Sequence, residues 1–360
     1  MPLHPAATPE AINDIAARLA TQPAIGIDTE FLRERTYHAE LCLVQLSWED
    51  QAACVDPLAQ IDLSALATAL AAPTAVKVLH ASRQDLEVLL PAVGPIRPIF
   101  DTQIAAALAG EAAQIGYAEL VRRTLGHELA KGQTRTDWSH RPLTAEQIEY
   151  ALDDVRHLLA LKTALEERLE RLGRLPWLAE ELAALEDPAA LSVDPESAWR
   201  RLKGLSGLDP GRQRLLKSLA AWRERRALER NRPRGWILAD VLLRDIVLRV
   251  PRTRAELAAL EGMTPGLLEH SGAALLEWVR VADIPDPAPQ VLRPRPDSQM
   301  TALLKKLGAV HQAVAAELAL SPEVLATRRD LEQLAAGRQD GPLLTGWRRA
   351  VLGERLLAAL

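Results

Sequence analysis

The chain has 360 residues, 48% of them hydrophobic, and a net charge of −5, which is ample for packed cores in two or three domains. Its only two cysteines, Cys42 and Cys54, sit in apolar, strand-like runs, which excludes a disulfide framework and points to buried thiols in a reducing compartment. No apolar run is long enough to span a bilayer and no signal-peptide pattern opens the chain, so a soluble, cytoplasmic protein without a membrane partner is expected.

In chain order, Pro9 to Ala20 reads as a short amphipathic helix. Ile25 to Phe31 reads as a buried strand that carries Asp28 and Glu30. Leu41 to Leu46 and Ala52 to Val55 read as two further strands, with the turn at Trp48 to Gln51. Leu63 to Leu70 is helical, Val76 to His80 a fourth strand, Asp85 to Leu90 the start of a helix, and Ile96 to Phe100 a fifth strand ending at Asp101. From Ile104 onward only helices are expected. A meander followed by β-α-β units predicts a mixed sheet covered by helices. The segment from Thr144 to Leu172 reads as one long helix, opened by a capping box at Thr144 and Gln147. Asp187-Pro188 and Asp194-Pro195 mark breaks, and the Pro-rich stretch 285–296 reads as a stiff linker. The expected domains are 1–172, a helical connector at 173–207, a helical domain at 208–286 and a last helical block at 296–360.

Residues two apart in a strand share a face, so Asp28 and Glu30 stand side by side. Like charges that close repel unless a cation lies between them. Taken alone, Asp-x-Glu is more often an exposed acid pair. Asp85, which begins a helix after a strand, and Asp154, one helical turn from Tyr150, shift that balance. Strand ends and neighbouring helices converge in a mixed sheet, so the four acids can meet in one cleft. Four carboxylates with no His/Cys cage favour Mg2+ or Mn2+ over zinc. Two such ions form the clamp for in-line attack on a phosphodiester, and the neutral phenol of Tyr150 can hold the attacking water. Asp101 reads as a helix N-cap rather than a fifth acid.

The spaced motifs Asp28-Thr29-Glu30, His80-x-x-x-x-Asp85-Leu86 and Tyr150-x-x-x-Asp154 resemble the three exonuclease motifs of the DEDD superfamily, tyrosine subtype. Their flanks, Phe31-Leu32-Arg33, Thr36-Tyr37, Leu41-x-Leu43-x-Gln45 and Asp137-Trp138-Ser139-His140-Arg141-Pro142-Leu143, resemble the ribonuclease D family. Leu219-x-x-Trp222-Arg223 with Pro233, and Pro251-x-Thr253-x-x-x-Leu257, resemble the HRDC domain shared by helicases and that family, and the last block resembles a diverged second copy. The resemblance covers nearly the whole chain. It departs at Ala39, a loop position where the family often has Pro. It implies an α/β ribonuclease-H-like exonuclease domain followed by all-α HRDC-type domains. It also implies 3′–5′ removal of 5′-mononucleotides from RNA ends, tRNA precursors included, with two metals on Asp28, Glu30, Asp85 and Asp154. Thr29, Phe31 and His80 would contact the substrate. Trp138 would either stack a base or anchor its loop.

The charge is unevenly spread. Residues 1–170 carry 14 Lys/Arg against 24 Asp/Glu, whereas residues 200–254 carry 16 against 5, a net of +11. Arg223, Arg226 and Arg230 fall at helical spacing and are expected to form a phosphate-binding face. A nucleic-acid-binding protein on an inactive exonuclease fold is the competing reading. The complete set of four acids with Tyr150 favours the enzyme. RNA and DNA are not separated by the sequence, because the contact to the 2′-OH depends on geometry.

Overall fold

The structure, a computed structural model, describes residues 4–129, 136–191, 193–203, 205, 207–282, 284 and 298–360. The linker expected at 285–296 lies outside the described residues. Two compact units are present. One comprises residues 1–32, 40–191 and 298–360, and the other residues 33–39 and 192–297.

The first unit is built on five strands: β1 (Ala24–Leu32), β2 (Glu40–Trp48), β3 (Gln51–Val55), β4 (Val76–Leu79) and β5 (Ile99–Asp101). Their order is β3-β2-β1-β4-β5. β1 and β3 each pair antiparallel with β2, β4 pairs parallel with both β1 and β5, and the sheet is therefore mixed, as the sequence predicts. A two-residue turn at Glu49 and Asp50 allows the antiparallel hairpin, whereas the parallel pairs need helical crossovers. The fifth strand is shorter than expected and starts only at Ile99.

The main helices of this part of the chain are α1 (Pro9–Leu19), α2 (Ser64–Ala71), α3 (Arg83–Val93), α4 (Thr102–Leu108), α5 (Tyr117–Leu125), α6 (Ala145–Arg156), α7 (Leu158–Arg171) and α8 (Leu175–Leu185). The capping box of Thr144 and Gln147 opens α6 as expected. The single helix expected from Thr144 to Leu172 is in fact two, broken at His157. The Tyr117 hydroxyl causes the break. It accepts the His157 N–H at 3.2 Å and donates to the Asp153 carbonyl at 3.2 Å. Those two groups would otherwise pair with each other in the i→i−4 ladder, so the phenol is inserted into a helical hydrogen bond. Tyr117 lies 36 residues upstream, which is why the apolar periodicity of 144–172 did not reveal the break.

Residues 298–360, which the sequence sets apart as a second HRDC-like block, share the hydrophobic core of this first unit. Leu307, Val314, Leu325, Leu334, Leu352 and Leu356 are buried in the same cluster as Ile25, Ile27 and Leu161. Trp347 stacks on Trp177 of α8 with ring centroids 4.6 Å apart, and its Nε1–H donates to Glu181 at 2.8 Å.

The second unit is helical, with α9 (Pro210–Arg230), α10 (Asp240–Arg249) and α11 (Pro265–Val281) as its main elements. Asp209 caps α9 by accepting the Arg212 N–H at 2.8 Å. Leu215, Leu219, Leu243, Ile246, Leu257 and Leu275 form a separate core.

Candidate active site

The site starts from the pleat of β1. Asp28 and Glu30 project from one face of the strand, where Asp28 faces Gln45 of β2 and Glu30 faces Leu43. The register shifts between Glu30 and Phe31, so regular pairing is interrupted just beyond the second acid. Helix α6 covers this face. Ser47 of β2 donates to the Val155 carbonyl at 2.8 Å, which fastens the helix to the sheet next to Asp154. Carboxylate oxygens of Asp28, Glu30 and Asp154 lie within 4.8 Å of one another.

Asp85 arrives from the first turn of α3. Its Oδ1 accepts a hydrogen bond from the Thr29 hydroxyl at 2.5 Å. The loop before α3 is held by Asp101, whose carboxylate accepts from the backbone N–H groups of Ala81 and Ser82 at 3.2 and 2.7 Å and from the Ser82 hydroxyl at 2.8 Å. The same carboxylate caps α4 through the N–H groups of Gln103 and Ile104. Asp101 is thus the N-cap that its position suggested, and it also clamps the loop that delivers Asp85.

Electrostatics mark the four acids as a group. Asp28 is pushed well above the usual carboxylate range, first by burial and then by the charges of Asp85, Asp154 and Glu30. Burial, followed by the fields of Asp154 and Asp85, pushes Glu30 up to about 8. Burial raises Asp85 and Asp154 to about 6 each. The influences that raise these groups are desolvation and neighbouring carboxylates. A set of hard oxygen donors with excess negative charge fits a hard divalent cation.

Tyr150 sits one helical turn before Asp154 on α6. Burial and the charges of Asp154 and Glu30 raise its phenol, so it stays protonated at neutral pH. Its ring stacks on Trp138, with centroids 6.2 Å apart and planes at 28°. Trp138 is itself 6% exposed. Arg141 holds the Trp138 loop in place. Its guanidinium binds Asp56 through two hydrogen bonds of 2.7 Å and also donates to the carbonyls of Trp138 and Cys42, both at 2.7 Å.

Not every residue expected to touch substrate is free to do so. Thr29 is buried and its hydroxyl is taken by Asp85, so its side chain serves the acid cluster. The ring nitrogens of His80 are engaged by Thr102 Oγ1 at 2.9 Å and the Ile115 carbonyl at 3.0 Å, which makes it a brace for the Asp85 loop. Trp138 is an anchor beneath Tyr150 rather than an open stacking platform. Arg223 corrects the expected basic face. It is 4% exposed and donates to the Leu238 carbonyl at 3.0 Å and to Asp240 at 2.5 Å. Its position on α9 turns it towards the core of the second unit, whereas Arg226 is half-buried and Arg230 exposed. Phe31 is half-buried at the interrupted end of β1. Tyr117 and Asp56 were missed from the sequence, because each acts through a partner distant in the chain.

Comparison with known proteins agrees with this geometry. A family model described as 3′-5′ exonuclease matches residues 3–170, and the HRDC domain model matches residues 212–279. A ribonuclease D of Gluconacetobacter diazotrophicus is 43% identical, over 98% of this chain and 91% of its own. One of Zymomonas mobilis is 39% identical, over 100% of this chain and 95% of its own. The chain belongs to the ribonuclease D family. The crystal structure of Escherichia coli RNase D, described as an exoribonuclease involved in structured RNA processing, superposes with a TM-score of 0.87 at 32% identity, covering 100% of this chain and 99% of that one. The expected fold holds: a mixed-sheet exonuclease domain with flanking helices, followed by a helical HRDC region. The protein is a metal-dependent 3′–5′ exoribonuclease. Among the described residues, no helix is long and apolar enough to cross a membrane.

Proposed function

We propose that the enzyme releases 5′-mononucleotides one at a time from RNA 3′ ends, with Asp28, Glu30, Asp85 and Asp154 holding two divalent cations, Mg2+ or Mn2+. The observation that carries this reading is the cluster of Asp28, Glu30 and Asp154, with Asp85 close enough to raise Asp28, beside a protonated phenol. A bound pair of such ions supplies charge stabilisation for the attacking and leaving oxygens of an in-line displacement. Tyr150 orients the attacking water through its hydroxyl, on a ring fixed by Trp138. Asp28 lies in the field of all three other acids and would be among the residues that hold the ions.

Phe31, at the irregular end of β1, contacts the 3′-terminal nucleotide. Thr29 and His80 contribute indirectly, by holding Asp85 and its loop. Arg226 and Arg230 of the HRDC unit capture phosphates in the body of the RNA. The substrates are tRNA precursors and other structured RNAs with 3′ tails, processed in the cytoplasm without an obligatory protein partner. The domain limits we assign are 1–172, 173–207, 208–286 and 296–360; residues 298–360 share the core of the first unit.

The test is a panel of RNA and DNA oligonucleotides with varied 3′ ends, incubated with and without EDTA. Stepwise release of mononucleotides from RNA, abolished by EDTA and restored by Mg2+ or Mn2+, is the expected result. Undiminished cleavage in chelator overturns the metal reading.

A further inference from the structure

Gln45 is fully buried, and neither its Oε1 nor its Nε2 has a hydrogen-bond partner. A buried amide left without partners is costly, because it gives up its hydrogen bonds to water and gains none. An apolar side chain of similar length would fill the same space without that cost.

The position of Gln45 suggests what the amide serves. It is the direct cross-strand partner of Asp28, so the two side chains lie on the same face of the sheet, close enough to interact. Its other cross-strand partner is Cys54, a buried free thiol that offers little hydrogen bonding. Two residues on, in the same row of β2, Ser47 reaches up to the Val155 carbonyl of α6. Gln45 therefore lies beneath the helix that carries Tyr150 and Asp154, beside the acid that all three other acids influence.

We propose that Gln45 is a positioning residue for Asp28: in the metal-loaded site its Nε2–H donates to the Asp28 carboxylate and fixes the orientation in which that acid meets the ion. Hydrogen bonds of this kind orient first ligands and raise metal affinity, and their loss typically costs about 10- to 100-fold in affinity. The inference rests on the reading of Asp28 as a metal ligand. It goes beyond that reading by assigning a function to a side chain that has none in the resting fold.

The test is Mn2+ binding to the full chain by titration calorimetry, with thermal unfolding of the metal-free protein measured beside it. The variants are Gln45→Met and Gln45→Leu, which keep the bulk and remove the amide. The expected result is a metal-free melting temperature equal to or above that of the parent, with Mn2+ affinity reduced about tenfold. Affinity within twofold of the parent in either folded variant overturns the proposal, whatever happens to stability. A drop in melting temperature without a change in affinity marks Gln45 as merely structural and also overturns it. A parent chain that takes up no Mn2+ overturns the metal reading itself, and the inference with it.

Discussion

Trp138 lies against Tyr150 with ring centroids 6.2 Å apart, and Arg141 holds the Trp138 carbonyl at 2.7 Å while gripping Asp56. The phenol of Tyr150 is thus seated on an indole whose loop is tied by a bidentate ion pair to Asp56, just beyond the end of β3. Replacing Arg141 with Ala should loosen that seat without touching an acid. Turnover should fall by about tenfold, on the scale of a misplaced catalytic group, while Mn2+ affinity stays near that of the parent. Single-turnover kinetics beside calorimetry would check this. An unchanged rate would mean that Tyr150 keeps its place without the clamp.

Tyr150→Phe removes only the hydroxyl. Substrate affinity should hold, and turnover should fall by about 10²-fold or more. Asp28→Asn should be at least as severe and should also weaken metal binding. Steady-state kinetics on a 3′-tailed RNA would separate the two effects. A fully active Asp28→Asn variant would place the chemistry elsewhere.

The acid cluster makes the metal-free protein pH-sensitive. Glu30 is raised to about 8, and Asp85 and Asp154 to about 6, from ordinary values of 4.5 and 3.8. The folded state therefore holds these protons more tightly than the unfolded chain does. The stability this contributes is complete below about pH 4 and is lost as pH rises through 6 to 8. Between pH 5 and pH 8, the melting temperature of the EDTA-treated enzyme should fall from this cause, and saturating Mg2+ should recover most of the loss at pH 8. The Asp28→Asn variant should show a shallower decline. A parent whose melting temperature is flat across this range, with or without Mg2+, would contradict the electrostatic picture.

The basic helix divides into two roles. Arg223 is buried and bonded to Leu238 and Asp240, so Arg223→Ala should destabilise the HRDC unit by about 2 kcal/mol, read by denaturant unfolding. Arg226→Ala with Arg230→Ala should leave stability nearly unchanged and weaken RNA binding across sequences. The slope of log affinity against log salt should flatten by roughly one unit per lost phosphate contact. Binding of a structured, 3′-tailed RNA at several salt concentrations is the measurement. An unchanged slope in the double variant would mean that this face is merely solvated.

The sequence by itself determined the elements that rest on short-range patterns. The two-residue spacing of Asp28 and Glu30 placed both acids on one face, the capping box opened α6 at Thr144, and the Asp101 side chain took the N-cap it was expected to take. The three spaced motifs identified the family before any contact was known. Tertiary structure decided whatever depends on a partner far along the chain. The Tyr117 hydroxyl breaks a helix whose own periodicity runs on unbroken. Thr29 and His80 turn inward because Asp85 and Thr102 take their polar atoms. Arg223 shares helical spacing with Arg226 and Arg230, yet the core of its unit and the Leu238 carbonyl lie on its side of the helix. Periodicity tells which residues share a face. It does not tell which face the rest of the chain will cover, because that depends on contacts made only when distant segments meet.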